Sequence, residues 1–174
     1  MKVLVAVLTA FVMVSVAASA EHYVSNALGF SAEFPGIIQA SESPAPEPGS
    51  KHAPVSNITT VKSAASGLYT AMVTVEMYNN PATVDATAVR TMISVFAAQL
   101  DATVTSSKPV TVSGRKGRAF TYQSRDGRAI GAGMVVVVPA KQPRVYQVFT
   151  MYTPSASAED KAALDGFVKS FQLD

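Results

Sequence analysis

The apolar run at residues 130–138, IGAGMVVVV, constrains the fold of this chain more than any other segment. Because successive side chains of a strand point to opposite faces, a strand that is apolar at every position must be covered on both sides. Asp126-Gly127 just before the run indicates a hairpin turn from a strand at 117–124, since both residues can take positive φ. A second turn at 140–143 leads into a strand at 144–152. The run is therefore predicted to be a central strand between two antiparallel neighbours.

Period-two patterns predict further strands elsewhere. Residues 29–34 alternate and end at Pro35-Gly36, and residues 55–63 and 68–78 have the pattern of a hairpin. Strand pattern also resumes from Val110 onward. In the second arm of the hairpin, one face is apolar and is predicted to be buried; it carries Tyr69, Ala71, Val73, Val75 and Met77. Residues 21–26 are polar and are predicted to be a frayed terminus.

Helical spacing replaces this alternation in two places. A helix is predicted over 84–100, with Thr83 as its N-cap and with a core-facing stripe of Val89, Ile93, Phe96, Ala97 and Leu100. A closing helix is predicted after Ser157, because Asp160 three residues later completes a capping box. Its apolar face consists of Leu164, Phe167, Val168 and Phe171. The order β-β-β-α-β-β-β-β-α predicts one α+β domain with about six to seven strands and two main helices.

The first twenty residues have the pattern of a secretory signal peptide. Lys2 supplies one positive charge, residues 3–16 are apolar, and Ala18-Ser19-Ala20 places small residues before a cleavage site. We expect cleavage after Ala20 and a mature domain of residues 21–174 in the periplasm or outside the cell. Retention as a membrane anchor is the alternative, but no Lys or Arg follows until Lys51, so a flanking positive charge is missing. No transmembrane span is expected after cleavage.

Composition narrows the class of protein. The chain has no cysteine, which excludes disulfides, thiol catalysis and thiolate zinc sites. Removal of residues 1–20 leaves 154 residues with 13 basic and 12 acidic side chains, a balance that does not favour nucleic acid as a partner. Residues 41–54, SESPAPEPGSKHAP, hold four prolines and no large apolar side chain. They are predicted to form a solvated loop rather than a Pro-rich docking motif.

Candidate catalytic and metal-binding residues are few. The two histidines, His22 and His52, lie near the new N-terminus and in the Pro-rich loop, where neither position is suited to hold a triad partner. Glu42, Glu47 and His52 could gather around a metal, but a polar surface loop explains them better. The sequence therefore assigns no catalytic residue, no metal ligand and no cofactor. The sequence leaves open whether two carboxylates come together in the fold as a catalytic pair. The carboxylates considered for such a pair have no distinguishing sequence context, and they are Glu76, Asp85 and Asp101.

One segment carries a local excess of positive charge. Residues 108–128 contain six positive side chains against Asp126 alone, and these are Lys108, Arg115, Lys116, Arg118, Arg125 and Arg128. On a hairpin, Arg118 and Arg128 are expected to approach each other and form a patch for an anionic partner or lipid headgroups. The interpretation that we favour is an edge-strand pair protected by charge against aggregation.

The chain resembles the PsbP/Mog1 superfamily, and in particular its small bacterial exported domains. The matching segments are GFSAEFP at 29–35, the helix at 84–100, GRKGRAF at 114–120, Val145-Tyr146-Gln147 and FVKSFQL at 167–173. The resemblance implies an antiparallel sheet sandwiched by helices. Members of the superfamily are mostly non-enzymatic accessory or binding proteins, in photosystem assembly or in binding a small GTPase. Export separates this chain from cytosolic and nuclear GTPase partners, so the resemblance transfers the fold and no functional residues.

These observations predict an exported, non-enzymatic binding or accessory domain of the periplasm or cell envelope. Its expected partner is an envelope protein or a small ligand. Two alternatives stay open: a hydrolase whose carboxylate or hydroxyl groups converge only in the fold, and a protein that binds anionic surfaces through the basic hairpin at 108–128.

Overall fold

Ten strands and two helices make up the part of the chain that the computed structural model describes, which is residues 20–43, 58–63, 69–79 and 84–174. The strands are β1 Ala20–Ser25, β2 Phe30–Pro35, β3 Ile38–Ser43, β4 Ile58–Ser63, β5 Tyr69–Met77, β6 Ala102–Val112, β7 Arg115–Ser124, β8 Ile130–Val138, β9 Arg144–Tyr152 and β10 Gln172–Leu173. The helices are α1 Ala86–Gln99 and α2 Ala158–Ser170. Neither helix is long and apolar enough to cross a membrane.

A seven-stranded sheet, with the order β3-β4-β5-β9-β8-β7-β6 and antiparallel neighbours throughout, forms the middle layer. The apolar run at β8 lies inside this sheet, as predicted. Its neighbouring residues Val135 and Val136 point to opposite faces of the sheet, and each is buried in the core on its own face. The fold class predicted from the sequence, α+β with two main helices, is confirmed.

One face of this sheet is covered by α2 together with a small sheet of order β1-β2-β10; we call it the helix-2 face. Phe30, Ala32 and Phe34 project from β2 and are fully buried, and Phe34 stacks on Phe167 of α2 with ring centroids 4.7 Å apart. Ser157 caps α2 by accepting from the amide of Asp160, whose carboxylate accepts from the Ser157 amide, so the predicted capping box is present.

The opposite face carries α1, and we call it the helix-1 face. Val89, Ile93 and Ala97 of the predicted stripe are buried, and the first two lie in one cluster with residues of the sheet, namely Phe120, Tyr122 and Val145. Phe96 is half-buried, with its ring centroid 4.5 Å from that of Phe149 on β9. The close approach of the Phe120 ring requires glycine at 133, because a Cβ there would lie 2.7 Å from the tip of that ring.

The structure corrects several sequence predictions. Residues 21–25 of the predicted frayed terminus belong to β1, because β1 pairs with β2 along its whole length. Residues 41–43, predicted to open the Pro-rich loop, complete β3; residues 44–54 lie outside the described residues, as do residues 1–19 of the predicted leader and Thr83. The N-cap of α1 is Asp85, whose carboxylate accepts from the amides of Thr87 and Ala88.

The predicted hairpin between β7 and β8 is present, but its turn is longer than the Asp-Gly pair alone. Gly127 has φ +70 and Asp126 does not have positive φ. The Ser124 amide donates to the carbonyl of Ala129, which closes a loop over four intervening residues. The Asp126 side chain accepts from the Ser124 hydroxyl and the Arg128 amide, and these bonds, led by the one from Ser124, lower the pKa of its carboxyl.

Candidate functional site

A cleft of about 660 Å³ opens on the helix-1 face, between the first turns of α1 and the outer strands β6 and β7. It forms where α1 stops covering the sheet, next to the row in which Pro109 of β6 pairs with Arg118 of β7. Its apolar lining comes from the helix side and from the strands, and consists of Val84, Ala86, Val89, Pro109, Val110 and Val137. Its volume falls in the range of small-molecule sites, about 300–1,000 Å³.

Positive side chains surround this apolar lining. Arg90 of α1 and Lys116 and Arg118 of β7 all line the cleft. Arg118 is half-buried and fixed in place, because its Nε donates to the Ser107 hydroxyl at 2.7 Å and its Nη2 to the Ser107 carbonyl at 3.4 Å. Among the described lining residues, Asp85 is the single carboxylate. Three cations against this one carboxylate give the cleft a net positive charge.

The six basic residues singled out from the sequence do not form one patch. Lys116 and Arg118 share the helix-1 face with Phe120. By strand alternation, Arg115 projects to the opposite face, and so does Lys108, which pairs with the helix-2-facing Ala119. Arg125 and Arg128 lie at the far end of β7, in the turn to β8.

The expectation that Arg118 and Arg128 approach each other is wrong. The β7–β8 pairing ends at Gln123↔Ile130, five residues along β7 from Arg118, which is about 17 Å of strand before the turn begins. The two arginines at that end have acidic neighbours of their own: Arg125 Nε lies 3.3 Å from an Asp101 oxygen and Arg128 Nε 3.5 Å from an Asp126 oxygen. Both pairs are solvent-exposed, so each contributes little to stability.

One of the carboxylates considered from the sequence, Glu76, lies half-buried on the helix-1 face in a hydrogen-bonded cluster that the sequence did not predict. Glu76 of β5 accepts from the Tyr78 hydroxyl at 2.6 Å and from the Gln147 amide at 2.9 Å. Burial raises the pKa of Glu76, and the two hydrogen bonds oppose this in part. Burial and the neighbouring Glu76 also raise the pKa of Tyr78, so its hydroxyl stays a donor. Tyr78 is 4% exposed, and both Glu76 oxygens are occupied, which makes this cluster an internal tie between β5 and β9.

A second, more polar cavity of about 710 Å³ lies among the β1–β2 turn, the β8–β9 turn and the C-terminus. Two hydrogen bonds connect the walls of this cavity. The Tyr146 hydroxyl donates to the carbonyl of Leu28, and the Asp174 amide donates to the carbonyl of Gly29. Across the described residues, no group of three or more His, Asp or Glu side chains is placed to hold a metal ion. Of the loop residues weighed as ligands, Glu42 lies in β3, and Glu47 and His52 fall outside the described ranges.

This chain is similar to solved structures, and one of them is cyanobacterial PsbP (CyanoP) from Synechocystis. It aligns over 90% of this chain and 94% of its own length, with 12% sequence identity and a TM-score of 0.56. The chain has a PsbP-like fold. LpqN of Mycobacterium tuberculosis, described as involved in cell envelope biogenesis, aligns over 78% of this chain and 91% of its own, with 14% identity and a TM-score of 0.44. The sequence matches no protein-family model and no curated protein.

The PsbP-like fold confirms the PsbP part of the resemblance inferred from the sequence. At 12% identity the likeness establishes the fold and leaves the activity to be argued from this chain's own residues. Arg90 could not be linked to the basic hairpin from sequence, because it lies on α1 and only the packing of α1 brings it to the cleft. The Glu76 cluster was equally hidden, since Gln147 is 71 residues away along the chain.

Proposed function

We propose that this chain is an exported, non-enzymatic binding domain of the cell envelope, and that it holds its ligand or partner in the cleft beside α1. The observation that carries the proposal is the cleft itself: an apolar lining within a PsbP-like scaffold, surrounded by Arg90, Lys116 and Arg118. Concave, mostly apolar sites with a few placed polar groups are the usual form of small-molecule sites. The signal-peptide pattern of residues 1–20 supports the compartment.

Two variants test the binding role. Ala86 is exposed and lines the cleft, so Ala86→Trp is expected to fill the cleft without disturbing the core. Val95 is 50% exposed on α1 and does not line the cleft, so Val95→Trp adds the same side chain elsewhere on the same helix. Native mass spectrometry of protein purified from the periplasm is expected to show a bound species on the wild type and on Val95→Trp. The species is expected to be absent from Ala86→Trp.

An Ala86→Trp protein that retains the bound species, or a wild type that carries none, would contradict the proposed binding role. The same spectra test export separately, because cleavage after Ala20 gives an intact mass that begins at Glu21. A mass that includes residues 1–20 would show that the leader is retained.

A further inference from the structure

We propose that the cleft beside α1 binds a single-chain anionic amphiphile. Its alkyl chain lies along the apolar lining, and its carboxylate or phosphate head pairs with Arg118 and Lys116. This inference rests on the proposed function, because it names the ligand class of the same cleft.

The lining suits an alkyl chain. Val84 and Val89 of the helix side are buried, and Val137 of β8 and Pro109 of β6 line the same cleft. Among the described lining residues, Thr111 is the one uncharged side chain that can form a hydrogen bond. An alkyl chain that lies in the cleft therefore gains free energy, because its apolar surface is removed from water. A polar chain would lose its hydrogen bonds to water there without forming new ones.

The charges suit one anionic head. Lys116 and Arg118 are two residues apart on the same face of β7, so their Cα atoms are about 7 Å apart and both can reach one carboxylate or phosphate. The Ser107 bonds hold Arg118 in position before a ligand arrives, which lowers the entropy lost on binding. The N-terminus of α1 is not the anion site, because the Asp85 carboxylate already accepts from the Thr87 and Ala88 amides.

The neighbouring sheet edge argues against an extended peptide as the occupant. β6 is an edge strand, and a peptide added there would need regular N–H donors along it. Pro109, at the cleft, supplies no N–H, and proline in an edge strand faces its nitrogen to the open side. The irregular register between Val104 and Ser106 interrupts the same edge further along. A small ligand fits the cleft better than an added strand.

Titration calorimetry with two probes that share one tail tests the ligand class. Dodecyl phosphate and dodecyl maltoside, each below its critical micelle concentration, present the same chain with an anionic or a neutral head. We expect one molecule of dodecyl phosphate per protein, bound about tenfold or more tightly than dodecyl maltoside, because a charge-assisted contact adds to the shared chain. Inorganic phosphate alone is expected to show no measurable binding, since it lacks the chain.

The basic cluster supplies its own matched control. Lys116→Gln combined with Arg118→Gln removes two charges at the cleft, and Arg125→Gln combined with Arg128→Gln removes two from the same segment outside it. The first pair is expected to weaken dodecyl phosphate about tenfold or more and to leave dodecyl maltoside unchanged. The second pair is expected to change neither. Circular dichroism checks that each variant is folded, and Lys116→Gln alone, at an exposed position, provides a single-site variant if the first pair is not.

Each outcome decides between the two proposals. Equal affinity for both probes, with binding lost in Ala86→Trp, would overturn the anionic class and leave the cleft as the binding site. Equal weakening by both double variants would also overturn it, since long-range charge would then explain the effect. Co-sedimentation with phosphatidylglycerol vesicles without binding of the monomeric probe would assign the anion to a membrane surface and overturn the inference. Probe binding that Ala86→Trp does not affect would contradict the proposed function itself.

Discussion

The two faces of the seven-stranded sheet differ in how they are covered. The helix-2 face is sealed by α2 and by the three-stranded sheet, and it buries a continuous aromatic cluster around Phe30, Phe34 and Phe167. Among the described residues, α1 is the element that covers the helix-1 face, and the cleft opens beside it along β6 and β7. The half-buried carboxylate of Glu76 lies on the same face. The helix-2 face thus holds the larger buried cluster, and the helix-1 face carries the cleft that a ligand can reach.

Truncation of an aromatic side chain is expected to show the largest difference in stability between the two faces. Phe167→Ala removes a side chain that is 0% exposed, and we expect a loss of about 3–5 kcal/mol of unfolding free energy. Phe96→Ala removes a half-buried ring on the helix-1 face and is expected to cost about 2 kcal/mol, because part of that ring already contacts water. Urea unfolding of both variants measures the difference.

Equal losses from these two variants would contradict the asymmetry between the faces. If Phe167→Ala does not fold, Phe167→Leu replaces it with a smaller change in volume. Its cost is expected to be about 1–2 kcal/mol and still to exceed that of Phe96→Leu.

Two glycines, one closely packed on the helix-1 face and one in α2, allow a second comparison of stability. Gly133→Ala places a Cβ 2.7 Å from the Phe120 ring and 2.9 Å from the Val148 carbonyl, and we expect a cost of about 1–3 kcal/mol. Gly166 of α2 is exposed, and a Cβ there meets nothing within 4 Å. Gly166→Ala is therefore expected to stabilise the protein by about 0.5–1 kcal/mol. Thermal unfolding checks both signs, and stabilisation by Gly133→Ala would show that the Phe120 ring can move aside.

The sequence predicted the parts of the fold that depend on local pattern. The apolar run of β8, the stripe of α1 and the Ser157 capping box each follow from residues close together in the chain. β1 was missed because its outward residues are polar, and its strand conformation comes from pairing with β2. Similarly, β3 at Ile38–Ser43 is almost entirely exposed, and its only signal is the ladder that it forms with β4.

The candidate site was only partly predictable for the same reason. Charge density pointed to residues 108–128, and two of its six cations, Lys116 and Arg118, line the cleft. Strand alternation and the length of β7 separate the other four, and neither effect is visible in a charge count. The apolar lining required the packing of α1 on the sheet, since Val84 and Val137 are distant in sequence and each reads as ordinary core.

The smallest expected effect concerns Glu76 and appears as a pH dependence. Because burial raises its pKa above the ordinary 4.5, the folded state holds this proton more tightly than the unfolded state does. Its favourable contribution is therefore fully present below about pH 4.5 and is lost as the pH rises through the raised folded value. Glu76→Gln stays neutral and can still accept from Tyr78, so the stability difference between variant and wild type is expected to grow in the variant's favour across that window.

Urea unfolding at a series of pH values from 4 upward measures this difference, and the exposed Glu42 of β3 offers a matched control. Glu42→Gln removes a carboxylate from an exposed position of the same sheet, and its difference from wild type provides the reference at each pH. A Glu76→Gln difference that does not change with pH relative to this reference would mean that water reaches the Glu76 carboxylate in the folded state. The helix-1 face would then be open beyond the cleft, and the contrast between the two faces would be larger than the packing alone indicates.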